Sequence, residues 1–324
     1  MEIFLIILLI VIGAVILFGL LPAAILGYIL YSYLLVRDKP GKWGRECSLP
    51  EDKEYKSMFD IGSGWYEKNK SLKQEVSITS CGFRLVGEYY DFGFDKAVII
   101  IPGRTESLLY SYFFAEPYQK SGHNVLVIDN RSHGLSEGKR CCLGYSEYKD
   151  IIGWSRLLHE TFGVKSVVLH GICIGSSVAL FAATAPECPE YITAMVAEGM
   201  YASFSESLKN HIIELKKPLF PVYQSSMLMM RIFSGADVVN DGPLYRIDAL
   251  KKPILFLHSR EDAYSAPEKA EEIYKKCSAP KKIVWFPTGA HSRLRINHTE
   301  KYDREIIDFL EEHEVVCDPV SEPV

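Results

Sequence analysis

His170-Gly171-Ile172-Cys173-Ile174-Gly175-Ser176-Ser177 is the stretch that decides how this chain folds. Before it runs Ser166-Val167-Val168-Leu169, a short apolar segment that reads as a buried strand. After it runs Val178-Ala179-Leu180-Phe181-Ala182-Ala183, of helical composition. A strand that turns sharply into a helix holds one residue in strained backbone geometry. Glycines two positions before and two after that residue leave room for close backbone approach. The residue at the apex is then Cys173. Its side chain is presented to the start of a helix, where unpaired N–H groups and the helix dipole favour an anion. A thiol so placed is expected to ionise more readily than a free cysteine, and thiolate is the nucleophilic form. Taken alone, the pentapeptide also fits a tight turn around a buried cysteine, so the neighbouring elements have to decide.

Outward from this turn, apolar runs alternate with helical stretches. Val76 to Thr79 and Phe83 to Tyr90 alternate apolar and polar around Cys81-Gly82, as an antiparallel hairpin does. Ala97 to Ile101, Asn124 to Ile128, Ile192 to Ala197, Pro253 to Leu257 and Lys282 to Phe286 read as buried strands. Helices are expected over Tyr145 to Phe162, Ala266 to Cys277 and Asp303 to His313. The alternation predicts an α/β fold: a mostly parallel central sheet with helices on both faces. Tyr201 to Tyr245 interrupts the pattern with Pro218-Leu219-Phe220-Pro221 and Met227-Leu228-Met229-Met230, which fits a short helical lid. Methionines make adaptable apolar walls, so a cavity beneath it would suit an acyl or alkyl group.

Composition narrows the class. The 324 residues carry a net charge of −5, which gives no footprint for nucleic acid. Eight cysteines are scattered without a Cys-x-x-Cys pair, so zinc and disulfide-redox motifs have no support, and free thiols in a reducing compartment are expected. Nothing calls for a metal or organic cofactor, and nothing bears on self-association. Ile3 to Val36 has no charged side chain over 34 positions, more than the ~20 that span a bilayer. That is far longer than the apolar core of a signal peptide, and Glu2 replaces the usual basic start. A membrane anchor over residues 1–36 is therefore expected, as one kinked helix around Pro22 or a hairpin near Leu21-Pro22. Arg37, Lys39, Lys42 and Arg45 follow, and basic flanks stay cytoplasmic. Residues 37–73, broken by Pro and Gly, read as a linker with a short helix near Lys53 to Phe59. The domain then covers 74–313, with the lid over about 201–245. The acidic, Pro-containing tail 314–324 reads as disordered.

Four blocks give the chain a family likeness. They are Ile101-Pro102-Gly103-Arg104-Thr105-Glu106-Ser107; Asp129-Asn130-Arg131-Ser132-His133-Gly134-Leu135-Ser136-Glu137-Gly138; the Gly171 to Gly175 turn; and Pro253 to Asp262 with Gly289-Ala290-His291. In this order and spacing the chain resembles the α/β-hydrolase superfamily over roughly residues 75–313, and most closely its membrane-anchored, lipase- and serine-aminopeptidase-like branch. The resemblance implies a nucleophile elbow with Cys173 in place of serine, and the chain order nucleophile, acid, base. Asp262, after a buried strand, would be the acid, with Glu261 its neighbour and rival. His291, after the last strand, would be the base, with His258 and His298 as weaker rivals. Backbone N–H groups of Ile174 and Arg104 (Thr105 is the alternative to the latter) would form the oxyanion hole. Pro102 departs from the family's histidine and removes a side chain that braces this loop. Asp129 to Gly138 would be a structural turn beside the pocket, and Ser176 and Ser177 would lie off the apex in the first helical turn. Cys141 and Cys142 read as solvent-side thiols.

Cysteine at the elbow would make the acyl-enzyme a thioester. Dienelactone hydrolases, in the same superfamily, use Cys, Asp and His. The expected activity is hydrolysis of a carboxylic ester or thioester with a small or lipid-like acyl group. Acyl transfer through the same intermediate, or a non-catalytic binding module on this fold, are the alternatives.

Overall fold

The computed structural model describes residues 1–313, so the expected tail 314–324, with Cys317, lies outside the described residues. Eight strands form one sheet in the order β1-β2-β4-β3-β5-β6-β7-β8. They are β1 (Lys73–Ser80), β2 (Phe83–Tyr90), β3 (Lys96–Ile101), β4 (Asn124–Ile128), β5 (Ser166–Ile172), β6 (Ile192–Glu198), β7 (Ile254–Ser259) and β8 (Lys281–Phe286). The β1–β2 and β2–β4 pairs are antiparallel, and the rest are parallel. This is the α/β-hydrolase fold that the sequence predicts. The unbroken apolar runs follow from it. In β3, Ile99 and Ile101 point into one core while Val98 and Ile100 point into the other. A strand covered on both faces has no polar side to show. Helices Tyr148–Phe162, Ile174–Ala183 and Pro267–Lys276 cover the first face, and Thr299–His313 covers the second.

At the N-terminus, α1 (Glu2–Val15) and α2 (Leu21–Leu35) are joined by a π-helical turn, Ile16–Leu20, into one helix long and apolar enough to cross a membrane. The turn at Pro22 is therefore absent. Pro22 has no N–H to return to residue 18, and the widened π turn ends just before it.

The stretch expected as a linker folds onto the domain instead. Val36 bridges to Arg140, the Arg37 guanidinium donates to Gly134 O at 2.9 Å, and Trp43 stacks on His133 at 4.6 Å. Arg45 Nε meets Asp129 Oδ2 at 2.9 Å. The helix that follows, α3 (Lys53–Asn69), is much longer than the sequence suggests. Its start is fixed by Asp52, which accepts the Tyr55 N–H at 2.9 Å. Gly62 reads as a breaker, but it lies mid-helix where α3 presses on the Tyr112–Phe113 backbone. Cys141 and Cys142 are also buried rather than solvent-side. Burial raises both thiols, Cys142 up to about 12, so they are poor nucleophiles.

Candidate active site

The parallel strands all end at one edge, and the loops there bring the expected residues together. Cys173 occupies the turn between β5 and the helix Ile174–Ala183 with φ 56° and ψ −117°, a conformation that costs energy for any residue with a Cβ. Two glycines make the turn fit. A Cβ on Gly175 would come within 2.0 Å of Ile101 O, and one on Gly171 within 2.3 Å of Gly175 O. The Cys173 N–H is held by Glu198 O at 2.9 Å, and Ser176 Oγ donates to Gly171 O and Glu198 O. Ser176 is thus occupied in bracing the turn, off its apex.

Asp262 follows β7 in a tight turn. Its Oδ1 accepts the N–H groups of Tyr264 at 2.9 Å and Ser265 at 2.8 Å, which leaves Oδ2 to accept from His291 Nδ1 at 2.7 Å. Burial would raise Asp262, but His291, His258 and the Ser265 N–H together hold it below its ordinary value. Burial likewise opposes a charged His291. The Cys173 sulfur and the Asp262 carboxylate outweigh it and hold the imidazole well above its ordinary pKa. The rivals are engaged elsewhere. Glu261 accepts the Gly289 N–H, His258 Nε2 meets Ser265 O at 2.7 Å, and His298 bonds to Thr288.

Arg104 and Ile174 border the same cavity as Cys173 and His291. Ile174 opens its helix, so its N–H is among those that helix geometry leaves without an intrahelical acceptor. The loop at Arg104 is braced without the family histidine. Asn130 Nδ2 donates to Pro102 O at 3.0 Å and His133 Nε2 to Arg104 O, so the Asp129 to Gly138 turn supplies the support. The Arg104 side chain reaches away and donates to Leu34 O at 3.0 Å, at the end of α2.

The cavity measures about 810 Å³. Tyr201, Phe204 and Leu208 line it from the lid side, and Tyr33, Leu34 and Trp43 from the N-terminal segment. Its polar end is Glu106, which accepts from Tyr55, Thr105 and Ser48 and lies near Arg293. Burial keeps the Glu106 carboxyl above its ordinary value despite these donors. The sequence reading missed this cluster: Glu106 and Thr105 stand in the first block and Arg293 just after His291, but their partners Ser48 and Tyr55 lie far from every motif. It also missed Glu198, a carboxyl that ends the apolar run of β6 directly behind the site. That acid closing a buried strand was a visible signal.

Comparison with known proteins agrees with this architecture. The profile of the alpha/beta hydrolase fold matches residues 96–245. The uncharacterized protein YqkD of Bacillus subtilis is 28% identical over 218 residues, which is 67% of this chain and 71% of YqkD. Among solved structures, the Pyrococcus furiosus esterase Pf2001 superposes with a TM-score of 0.64 at 24% identity, covering 75% of this chain and 93% of the esterase. An alpha-beta hydrolase from Vibrio vulnificus gives 0.59 at 17% identity, covering 85% and 99%. The chain has the α/β-hydrolase fold, which it shares with the Pf2001 esterase, and is distantly homologous to YqkD.

Proposed function

We propose that the protein is a membrane-anchored hydrolase that cleaves a carboxylic ester or thioester through an acyl-enzyme on Cys173. His291 takes the thiol proton, or holds it as imidazolium beside a thiolate. The sulfur attacks the substrate carbonyl, and the N–H groups of Arg104 and Ile174 receive the developing oxyanion. As the tetrahedral intermediate collapses, His291 Nε2 gives its proton to the departing alcohol or thiol. Water then attacks the thioester with His291 as base, releasing the acid and restoring the thiol. Asp262 holds the ring by its Nδ1 proton and stabilises the imidazolium. The observation that carries the reading is the 2.7 Å Asp262–His291 bond on an imidazole facing a positive-φ cysteine. The resemblance to an esterase fold agrees with it.

In this reading the apolar helix serves as the anchor, and the basic flank Arg37, Lys39, Lys42 and Arg45 favours a domain on the cytoplasmic side. Protease protection in sealed membranes tests that orientation. The chemistry is tested by intact-mass analysis during turnover of aryl thioesters. The acyl mass should appear on Cys173, be absent in Cys173→Ala, and form far more slowly in His291→Ala. Turnover that survives Cys173→Ala sinks the proposal.

A further inference from the structure

The apolar helix is longer than a bilayer requires, and its two halves are built differently. At 1.5 Å per residue, Glu2–Leu35 measures about 50 Å, against a hydrocarbon core of about 30 Å. Nothing in α1 is buried. In α2, by contrast, Ala23, Gly27, Tyr31 and Leu35 are buried at i, i+4 spacing along one face.

That face clamps the lid helix Val222–Ser234. Gly27 lies so close that a Cβ there would meet Ser225 Cβ at 2.4 Å, and Tyr31 OH bonds to Ser234 Oγ at 3.1 Å. Tyr28 and Tyr31 flank Phe233 at 5.4 and 5.6 Å. Numbers rise together along the two helices, so they run in the same sense. The lid helix therefore starts at the end of α2 nearer α1.

The segment leading into that start is the lid tip, Ile213 to Phe220. Ile213, Leu215 and Phe220 are exposed, Phe220 by 76%, and Lys216 and Lys217 stand between them. The outward face of α2 at the same level is also apolar and exposed, through Leu21, Ile25 and Ile29. Apolar side chains interleaved with lysines, continuous with an apolar helix, have the composition of a surface that lies in the headgroup–acyl boundary.

We infer that the lid tip docks into the lipid bilayer beside α2, and that the Cys173 cavity accordingly takes acyl groups from lipids or lipidated molecules resident in that bilayer. The second half rests on the hydrolase proposed above; the first does not. The cavity wall supports the coupling, because Tyr33 and Leu34 of α2 and Phe204 and Leu208 of the lid line the same space as Cys173.

The full chain, reconstituted in phosphatidylcholine vesicles with and without phosphatidylserine, tests this in two readouts. The first is Phe220→Trp in vesicles whose acyl chains are brominated. Quenching in excess of the wild-type tryptophan signal is expected, stronger with phosphatidylserine. No excess quenching overturns the docking. The second is the exposed double variant Leu215→Ser/Phe220→Ser. Cleavage of a long-chain acyl thioester held in the bilayer should fall about tenfold or more, while a short soluble ester is cleaved as before. Equal rates on both substrates, or equal losses on both, overturn the bilayer route. If the wild type cleaves neither substrate, the hydrolase proposal fails, and the quenching result still decides the docking.

Discussion

Glu198 closes β6 with a carboxyl that water cannot reach. Its Oε2 accepts the Tyr302 hydroxyl at 2.6 Å, and burial pushes its pKa up to about 7 against the pull of Tyr302 and the Leu294 N–H. Its backbone carbonyl meanwhile holds Cys173. An acid whose folded pKa lies above its unfolded value binds more protons when folded, so it erodes stability as pH rises from about 4.5 towards 7. Glu198→Gln keeps an acceptor for Tyr302 and removes the charge. Its melting temperature should match wild type near pH 5 and exceed it near pH 8; no difference at either pH would mean the carboxyl is not strained. Of the triad pair, His291 shifts in the same direction as Glu198 and Asp262 in the opposite one. His291 is raised, so its contribution is present below its unfolded value of about 6.5 and is lost as pH climbs through the folded value. Asp262 is depressed, so its contribution is present above about 3.9 and is lost as pH falls through the folded value. In Asp262→Asn, the His291 ring should therefore titrate at lower pH by NMR, and the stability gap to wild type should be widest near pH 6 and shrink in alkali.

At the scale of elements, α3 shows how one residue type carries opposite meanings. Gly62 and Gly64 both interrupt a helical pattern. A Cβ on Gly62 would lie 2.9 Å from the Phe113 nitrogen, a backbone atom that cannot swing aside, whereas Gly64 has nothing within 4 Å. Gly62→Ala should cost about 1–3 kcal/mol through overpacking, and Gly64→Ala should gain roughly 0.5–1 kcal/mol through helix propensity, both measured by denaturant unfolding. A gain from Gly62→Ala as well would show that α3 does not press on the Tyr112–Phe113 turn. The same contrast marks what the sequence could reveal. Strands buried on both faces announce themselves by composition, and the Gly-x-Cys-x-Gly turn by spacing, so the sheet and the turn at Cys173 were legible, whereas Asp262 and His291 were picked out only by the resemblance to the hydrolase blocks. The 37–69 segment was not, because its hold on the domain comes from long-range partners. Trp43 needs His133, Arg45 needs Asp129, and Asp52 needs Arg293 as well as its own helix. The i, i+4 face of α2 was hidden for a different reason. In a helix apolar all round, a stripe of Ala23, Gly27, Tyr31 and Leu35 does not stand out by polarity.

Across the whole molecule, the first 52 residues are two parts joined by one continuous helix. Residues 2–15 and 17–20 bury no side chain in the protein, so the domain does not depend on them for its core. From Leu21 onward the chain becomes structural. Tyr31, Leu34, Leu35 and Trp43 lie in the main core cluster, each contributing roughly 1.5–3 kcal/mol of apolar burial. Arg45 faces Asp129, whose other contacts are the N–H groups of Leu108 and Leu135, and Glu88, which is otherwise buried with Tyr90 and Tyr112. Removing Arg45 would leave the buried Asp129 carboxylate without a cation, while Glu88 keeps Lys73 at 3.8 Å, a loss on the order of 3 kcal/mol. A typical domain has only about 5–15 kcal/mol in total. A chain lacking residues 2–20 should therefore fold, with a melting temperature close to that of the full chain in detergent, and should retain activity on a short soluble ester. A chain lacking residues 2–52 should be recovered only as unfolded or aggregated protein. Recovery of that shorter chain with a cooperative transition and intact activity would show that the segment merely lies against the domain. It would also release Arg104 from Leu34 and open the cavity wall at Tyr33, so such a chain should lose any preference for long acyl groups over short ones.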